Sequence, residues 1–499
     1  MIVQLLCLLV TAAGSLRWLR VAQREHYLSG SVTWTEQLWL SRDRRSAVLW
    51  LPVLVLFALG LFVEDDLYFL AAAVLAQVPP LGLSHRGRTS RLAWTPRLRR
   101  LCLVLVLLVA LVGVWSPATA ALTSLFLSVL IDLALLLVRP VEQRLSRTFL
   151  EQAKQRVTRV RPTVVAITGS YGKTTTKSYL AHLLSQTHTV LASPASFNNA
   201  MGLSRAVNEG LVPGTEVFIA EMGTYGPGEI RGLCAVFPPD IAVITAIGEV
   251  HLQRMRTRER VLTAKAEITE KARVVVLNVD DDLLHGLADS LVAQGKEVIR
   301  CSVNDPTVDV AIVSGKVRVR GAALGAAHLP PSVHPLNAAC AMGAALALGD
   351  EPKALVKRLK SLPTVAHRLE PLEQPGGSWI LDDTYNSNPV GAAEAVRRAA
   401  ALAETSGGRV HVVTPGMVEL GEVQAERNEA LARAVRDAGA ASLVVVGRTN
   451  AAALRKGASG GSTEVLDVPT RDDARDLVMQ RSRAGDVVLF ENDLPDHYP

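Results

Sequence analysis

The chain has 499 residues, enough for two to four domains at roughly 100–200 residues each. With 49% hydrophobic and 20% charged residues it is no disordered chain, and its five cysteines, without a CxxC pair, exclude a disulfide scaffold and a cysteine zinc site. The net charge of +6 invites a nucleic-acid reading, but much of the arginine lies between apolar runs near the N-terminus, where anionic lipid accounts for it.

Five apolar runs occupy the first 140 residues: 2–16, 46–63, 67–83, 101–116 and 118–138, the last two divided at Ser116-Pro117. Continuous apolar runs without a helical period are hard to bury repeatedly in one small domain. A spanning helix needs about 17–25 such residues, so about five membrane spans are expected over residues 1–140. A cleaved signal peptide fits residues 1–16 poorly, because the basic residues follow the run instead of preceding it. Arg17, Arg20, Arg24, Arg42, Arg44 and Arg45 separate the first two runs; Arg86, Arg88, Arg91, Arg97, Arg99 and Arg100 separate the third and fourth. Basic loops stay cytoplasmic, which places everything after Arg139 in the cytoplasm of a multi-pass inner-membrane protein. Asp132, ionisable within the fifth run, is a candidate for substrate handling or transport; it is also close enough to Arg139 to reach the interface.

Residues 141–160 are charged and helical in pattern, a linker. Strand-like runs follow at 163–168, 216–220, 241–245 and 274–278, then at 379–383, 410–414, 442–447 and 486–490, separated by helical stretches. Apolar strands alternating with helices predict parallel sheets covered on both faces. The length predicts two such domains, 161–351 and 352–499: an ATPase-type parallel sheet with a phosphate loop, then a Rossmann-like α/β domain.

The first strand runs into Gly169-Ser170-Tyr171-Gly172-Lys173-Thr174-Thr175-Thr176, and a helix follows with Tyr179, Leu180, Leu183 and Leu184 on one face. Glycines let backbone N–H groups turn toward a phosphate, and the helix N-terminus adds partial positive charge. Lys173 would reach the outer phosphates and the Thr174 hydroxyl a magnesium ion. The spacing is shorter than GxxxxGK[ST], so the strand–loop–helix context carries the assignment. Glu221 and His251 each follow a strand, at 216–220 and 241–245, where parallel sheets line a ligand crevice. A carboxylate and an imidazole beside a triphosphate suit Mg²⁺ or Mn²⁺; a lone Glu or His is more often structural.

The segment TGSYGKTTT resembles the nucleotide loop of the Mur ligase family, the ATP-dependent amide ligases of peptidoglycan precursor synthesis. The resemblance extends over about 163–430. It implies that Gly169, Gly172, Lys173, Thr174 and Thr175 bind ATP, that Glu221 and His251 hold metal with Thr174, and that Lys265 is carbamylated by CO₂ into an anion able to bridge a second ion. His334-Pro335-Leu336-Asn337 resembles the family's HNxxNA segment, with Pro335 departing from it, and implies an adenine contact for Asn337. His367-Arg368-Leu369-Glu370 implies a γ-phosphate contact for Arg368. Asp382 to Pro389, DDTYNSNP, resembles the D-alanyl-D-alanine-adding branch and implies nucleotide and substrate contacts for Asp383 and Asn386. Ser196 to Gly202 resembles that branch's NFNNxxG and implies substrate contacts for Asn198 and Asn199; an Asn-Asn pair before Gly is also commonly a turn.

The activity so implied is attack of a carboxylate on the γ-phosphoryl of ATP, then aminolysis of the acyl phosphate, with Lys173, Lys265, His251 and Arg368 at the chemistry. The chain departs from the family at both ends: membrane runs stand where soluble members carry a UDP-sugar domain, and Phe490 to Asp496, FENDLPD, replaces a Lys-Gly-Ser-Arg-type segment. The expected partners are therefore an amino acid or dipeptide, a carboxylate acceptor that is lipid-linked or polymeric, membrane lipid and cell-wall assembly proteins, and no nucleic acid. A poly-γ-glutamate-type capsule ligase and an ATP-driven transporter or scaffold are the competing readings.

Overall fold

Each apolar run near the N-terminus folds into helix in the computed structural model, which describes all residues except 84–91, 195, 196, 251, 331, 365–368, 385, 386, 495–497 and 499. The helices are Ile2–Arg24, Ser31–Arg42, Arg44–Val48, Trp50–Val63, Asp66–Ala76, Pro96–Gly113, Pro117–Leu125 and Leu127–Val160. Polar residues start them: Asp65 accepts from Leu67 N, Thr95 from Leu98 N, and Ser116 and Thr119 form a reciprocal capping box with Pro117 at the first helical position. Two stretches, Ile2–Arg24 and Arg44–Val63, are long and apolar enough to cross a membrane. A third counts if the pair Pro117–Leu125 and Leu127–Val160, bent by 79°, is one span. The sequence predicts five spans; among the described residues two helices, or three with the bent pair counted as one, meet that length and apolarity. The helix Asp66–Ala76 ends after 11 residues, roughly 16 Å against a hydrocarbon core of roughly 30 Å. The helix Pro96–Gly113 spends its first turn on Arg97, Arg99 and Arg100. Residues 141–160 are no separate linker; they continue the 34-residue helix Leu127–Val160.

The chain divides into two compact units, Met1–Leu145 with Gly447–Ala451 and Asp493–Pro499, and Ser146–Val446 with Ala452–Asn492. Within the first, two buried ionisable groups, Asp132 and Arg17, serve backbone. Asp132 caps the helix Ser31–Arg42 from a neighbouring helix: Oδ1 accepts from Gly30 N at 2.8 Å, and Oδ2 accepts from Thr33 N at 2.8 Å and Thr33 Oγ1 at 2.6 Å. Arg17, 1% exposed, donates to the carbonyls of Gln77 at 3.1 Å and Pro79 at 2.7 Å, just past the end of the helix Asp66–Ala76. Helix-end carbonyls are a favourable place for a cation. Capping therefore accounts for the charge inside the fifth run.

The second unit holds two sheets. The first contains β1 (Thr163–Thr168), β2 (Val190–Ala192), β3 (Val217–Glu221), β4 (Ile241–Ile244), β5 (Val274–Asn278), β6 (Glu297–Ser302), β7 (Val310–Val313), β8 (Lys316–Val319) and β9 (Ala322–Ala326), in the order β2-β3-β1-β4-β5-β6-β7-β8-β9. Strands β1 to β7 pair in parallel, and β8 and β9 add an antiparallel edge. Both faces of β1 are buried: Val165 and Ile167 pack with Tyr179, Leu180, Leu183 and Leu184, as the helical face of the sequence predicts, while Val164 and Ala166 pack on the opposite side with Leu203 and Phe218. Truncating such a buried leucine to alanine costs roughly 2–5 kcal/mol. The helix Pro352–Leu359 buries Leu355 and Leu359 in this first core. The boundary between the sheets therefore falls after Leu362, not before Pro352.

The second sheet contains β10 (Glu370–Glu373), β11 (Trp379–Asp383), β12 (Val410–Thr414), β13 (Ser442–Val446), β14 (Glu464–Val468) and β15 (Val487–Glu491), in the order β10-β11-β15-β12-β13-β14, parallel except for β10. The expected parallel α/β architecture is present in both sheets.

Candidate active site

Strand β1 lies between β3 and β4; the chain crosses from β1 to β2 on one side and from β4 to β5 on the other, so the carboxyl ends of β1 and β4 flank a topological switch point where a ligand crevice opens. The loop 169–172 sits there and passes into the helix Lys173–Leu184. Gly172 holds φ +81°, a left-handed conformation that glycine adopts without cost, and a Cβ there would come within 2.5 Å of Asn337 Oδ1. A Cβ on Gly169 would collide with the Thr245 hydroxyl. Ser170 fastens the loop to the turn after β4: its N–H donates to Ala246 O at 2.8 Å, and its Oγ accepts from Gly248 N at 2.8 Å.

The charged groups gather around this loop. Lys173 Nζ donates to Gly169 O at 2.7 Å, and Lys265 Nζ donates to the same oxygen at 3.1 Å. Lys265 is 2% exposed, and burial, with Lys173 beside it, holds its ammonium well below the usual lysine range. Glu221, the last residue of β3, accepts from Thr174 Oγ1 at 3.1 and 3.0 Å and from Lys177 Nζ at 2.8 Å. Burial pushes its carboxyl up, but Lys177, Lys173 and the Thr174 hydroxyl outweigh that and hold it below the usual range. Asn337, in the first turn of the helix Pro335–Ala347, lies against Gly172. The side chain of Asn198 lies against Gly223, two residues past Glu221, and the backbone carbonyl of Asn198 accepts from Gly223 N at 2.8 Å. Thr175 is half-buried in the same helical turn as Thr174.

The structure thus brings Gly169, Gly172, Lys173, Thr174, Glu221, Lys265 and Asn337 to one place, with Asn198 close to Glu221. Asn199 caps the helix Ala200–Gly210, its Oδ1 accepting from Gly202 N at 2.9 Å, a turn role. Asp383 ends β11 in the second sheet. His251, Arg368 and Asn386 lie outside the described residues.

A divalent ion fits the donor set. A hydroxyl and a carboxylate about a phosphate loop are hard oxygen ligands of the kind Mg²⁺ takes, few because phosphate oxygens and water complete the shell. Among the described residues no three of His, Cys, Asp and Glu gather as a metal cluster.

Three features escaped the sequence reading. Lys177 lies one turn beyond Lys173, and its spacing from Thr174 and Lys173 was the available signal. Arg427 pairs with Glu249 through two bonds, 2.5 and 2.8 Å, joining the turn after β4 to the helix Gln424–Asp437; this guanidinium holds the Glu249 carboxyl below its usual range. Glu491, at the end of β15, is fully buried, accepting from Ser387 Oγ and from Thr414 Oγ1 at 2.6 Å. Burial, with the charge of Asp383 adding to it against the two hydroxyls, raises its carboxyl to about 7.

Both sheets match known proteins. Residues 167–324 match the family profile described as Mur ligase middle domain, and residues 367–491 match the Mur ligase, glutamate ligase domain. A UDP-N-acetylmuramoyl-tripeptide–D-alanyl-D-alanine ligase of Mycobacterium leprae is 31% identical over 367 residues, covering 66% of this chain and 70% of the relative. The ligase of the same name from Bacillus subtilis is 30% identical, covering 56% of this chain and 60% of that one. Among solved structures, the MurF ligase of Thermotoga maritima in complex with ADP superposes with a TM-score of 0.59 at 26% identity, over 70% of this chain and 80% of that one.

Proposed function

The chain belongs to the Mur ligase family, and from that premise we propose that it joins a peptide carboxylate on a UDP-linked muramoyl acceptor to the amino group of D-alanyl-D-alanine or a close analogue. The enzyme is an ATP-dependent amide ligase of peptidoglycan precursor synthesis; the substrate pair follows the printed names of its relatives. The observation that carries the reading is the meeting of the glycine loop, Lys173, Thr174, Glu221 and Lys265 at the switch point of the first sheet.

The chemistry is an in-line transfer whose main requirement is charge neutralisation. A carboxylate oxygen of the acceptor forms a bond to the γ-phosphorus, the bond to ADP breaks, and an acyl phosphate results. The amine nitrogen then bonds to the acyl carbon, phosphate leaves, and the nitrogen loses a proton. Loop N–H groups and the first turn of the helix Lys173–Leu184 hold the phosphates. Lys173 exchanges its bonds to the Gly169 and Ser170 carbonyls for phosphate oxygens. Thr174 and Glu221 would hold a magnesium ion, which neutralises phosphate charge when bound. His251 and Arg368 are assigned by resemblance to metal and to the γ-phosphate. Lys265 is assigned as a carbamate: its nitrogen would bond to the carbon of CO₂ and lose a proton, becoming an anion. Its burial against Gly169 O, beside Lys173, supports that assignment.

A second reading places the acceptor at a membrane surface. The helices of the first unit leave large apolar side chains exposed, among them Leu51 (68%), Phe62 (87%) and Val106 (62%), which suits lipid contact. It implies an inner-membrane protein with its α/β unit in the cytoplasm. The capsule-ligase and transporter readings gain nothing from the relatives. Multiple-turnover ADP formation by the full-length chain should require both an amine and an acceptor, because the acceptor alone stops at the acyl phosphate. UDP-linked tripeptide with D-alanyl-D-alanine is expected to be the productive pair, and turnover only with detergent-extracted lipid-linked precursor would favour the membrane-surface reading instead.

A further inference from the structure

The helix after the nucleotide loop carries a second lysine that none of the steps above uses. Lys177 is 5% exposed and lies one helical turn beyond Lys173. Its Nζ stands 2.8 Å from Glu221 Oε2 and 3.3 Å from Pro194 O, and Thr174 Oγ1 stands 3.0 Å from the same carboxylate oxygen. Glu221 itself is 2% exposed. The carboxylate assigned to the metal therefore already has a full counter-charge, held in a fixed place by the helix and by a backbone carbonyl.

We propose that Lys177 is a positioning residue that makes metal binding depend on nucleotide binding. The proposal rests on the nucleotide-site reading given above. Lys173 and Lys177 contribute two positive charges around Glu221, which contributes one negative charge. These three groups repel a divalent cation as long as Lys265, beside Lys173 on the Gly169 carbonyl, carries no carbamate, so the measurement is made in CO₂-free buffer. A triphosphate brings several negative charges and reverses the balance. The ion then enters as part of the metal–nucleotide complex, with Glu221 already aimed at Thr174. Without Lys177, Glu221 would be a bare, buried carboxylate beside a hydroxyl, able to attract a cation by itself.

Mn²⁺ is the probe, its free concentration read by electron paramagnetic resonance, with the full-length chain in detergent. The wild-type chain should bind no Mn²⁺ at millimolar concentration alone and should bind it when ADP is added. Lys177→Met and Lys177→Gln should bind Mn²⁺ without nucleotide at least about tenfold more tightly than the wild type. Adding Glu221→Gln to Lys177→Met should remove that gain, and Lys177→Arg should behave as the wild type. Tight binding of Mn²⁺ to the nucleotide-free wild type overturns the proposal even where a variant fails to fold; so does a folded Lys177→Met chain that gains no affinity. Loss of ADP binding by the wild type would instead overturn the nucleotide site itself.

Discussion

Ionisable side chains are buried in both units of the chain, but they face different partners. In the helical unit Asp132 is spent on the N-terminus of one helix and Arg17 on carbonyls just past the end of another. In the α/β unit Lys173, Lys177, Glu221 and Lys265 face one another around a single glycine loop. Burial of charge is costly in both places. In the first it completes backbone hydrogen bonding; in the second it concentrates a charge field where a polyanion can bind. The partners of a buried charge, not its burial, separate a structural role from a chemical one.

That contrast can be broken in several places. Lys173→Ala should lower ADP formation at least about 10³-fold with little change in thermal midpoint, measured by a coupled ADP assay. A variant that kept its turnover would place the charge field elsewhere. Glu491 extends the contrast to the second sheet. Its carboxyl is raised to about 7 in the fold and is near 4.5 when exposed, so its contribution to stability is complete below about pH 4.5 and is lost as pH rises through about 7. Glu491→Gln should therefore be more stable than the wild type above pH 7, by up to about 3 kcal/mol, and should lose that advantage near pH 5. Denaturant unfolding at the two pH values decides this.

Lys265 sharpens the contrast within the nucleotide site. Lys265→Ala should cost on the order of 10²-fold in turnover. CO₂-free buffer should slow the wild type and bicarbonate should restore it, whereas indifference to CO₂ would leave Lys265 an ordinary buried amine. The smallest effect belongs to the helical unit: Asp132→Ala should cost about 1–2 kcal/mol of stability in detergent and leave saturated turnover of ADP unchanged. A fall in turnover beyond the fall in folded protein would move Asp132 to the chemical side.

The sequence made the fully buried centre of each sheet legible. Strands β1, β5 and β12 stand at the predicted residues because each is a short apolar run bounded by polar turns. Most strands that escaped are edge or charged ones; the exception, β7, is a buried interior Val-Ala-Ile-Val whose four residues make too short an apolar run to stand out. β6 reads Glu-Val-Ile-Arg-Cys-Ser, and β8 alternates Lys-Val-Arg-Val with only its valines buried. β9 is largely exposed, so no apolar run marks it. Helix length in the N-terminal unit was overread because hydropathy does not show where a helix stops: Gln77 ends one after 11 residues. In the site, Lys173, Thr174 and Glu221 were legible from strand–loop–helix context. Lys177 was not, because a helix lysine reads as solvated until the carboxylate opposite it is known. Glu491 was hidden for a similar reason, since its partners Ser387 and Thr414 are 104 and 77 residues away.

The central claim is that ATP activates a carboxylate as an acyl phosphate before the amine attacks. Acceptor labelled with ¹⁸O in its carboxylate tests this in one turnover experiment with ATP and the dipeptide. One labelled oxygen should appear in the released phosphate for each amide formed. Phosphate without label, at an equal yield of amide, would contradict the claim.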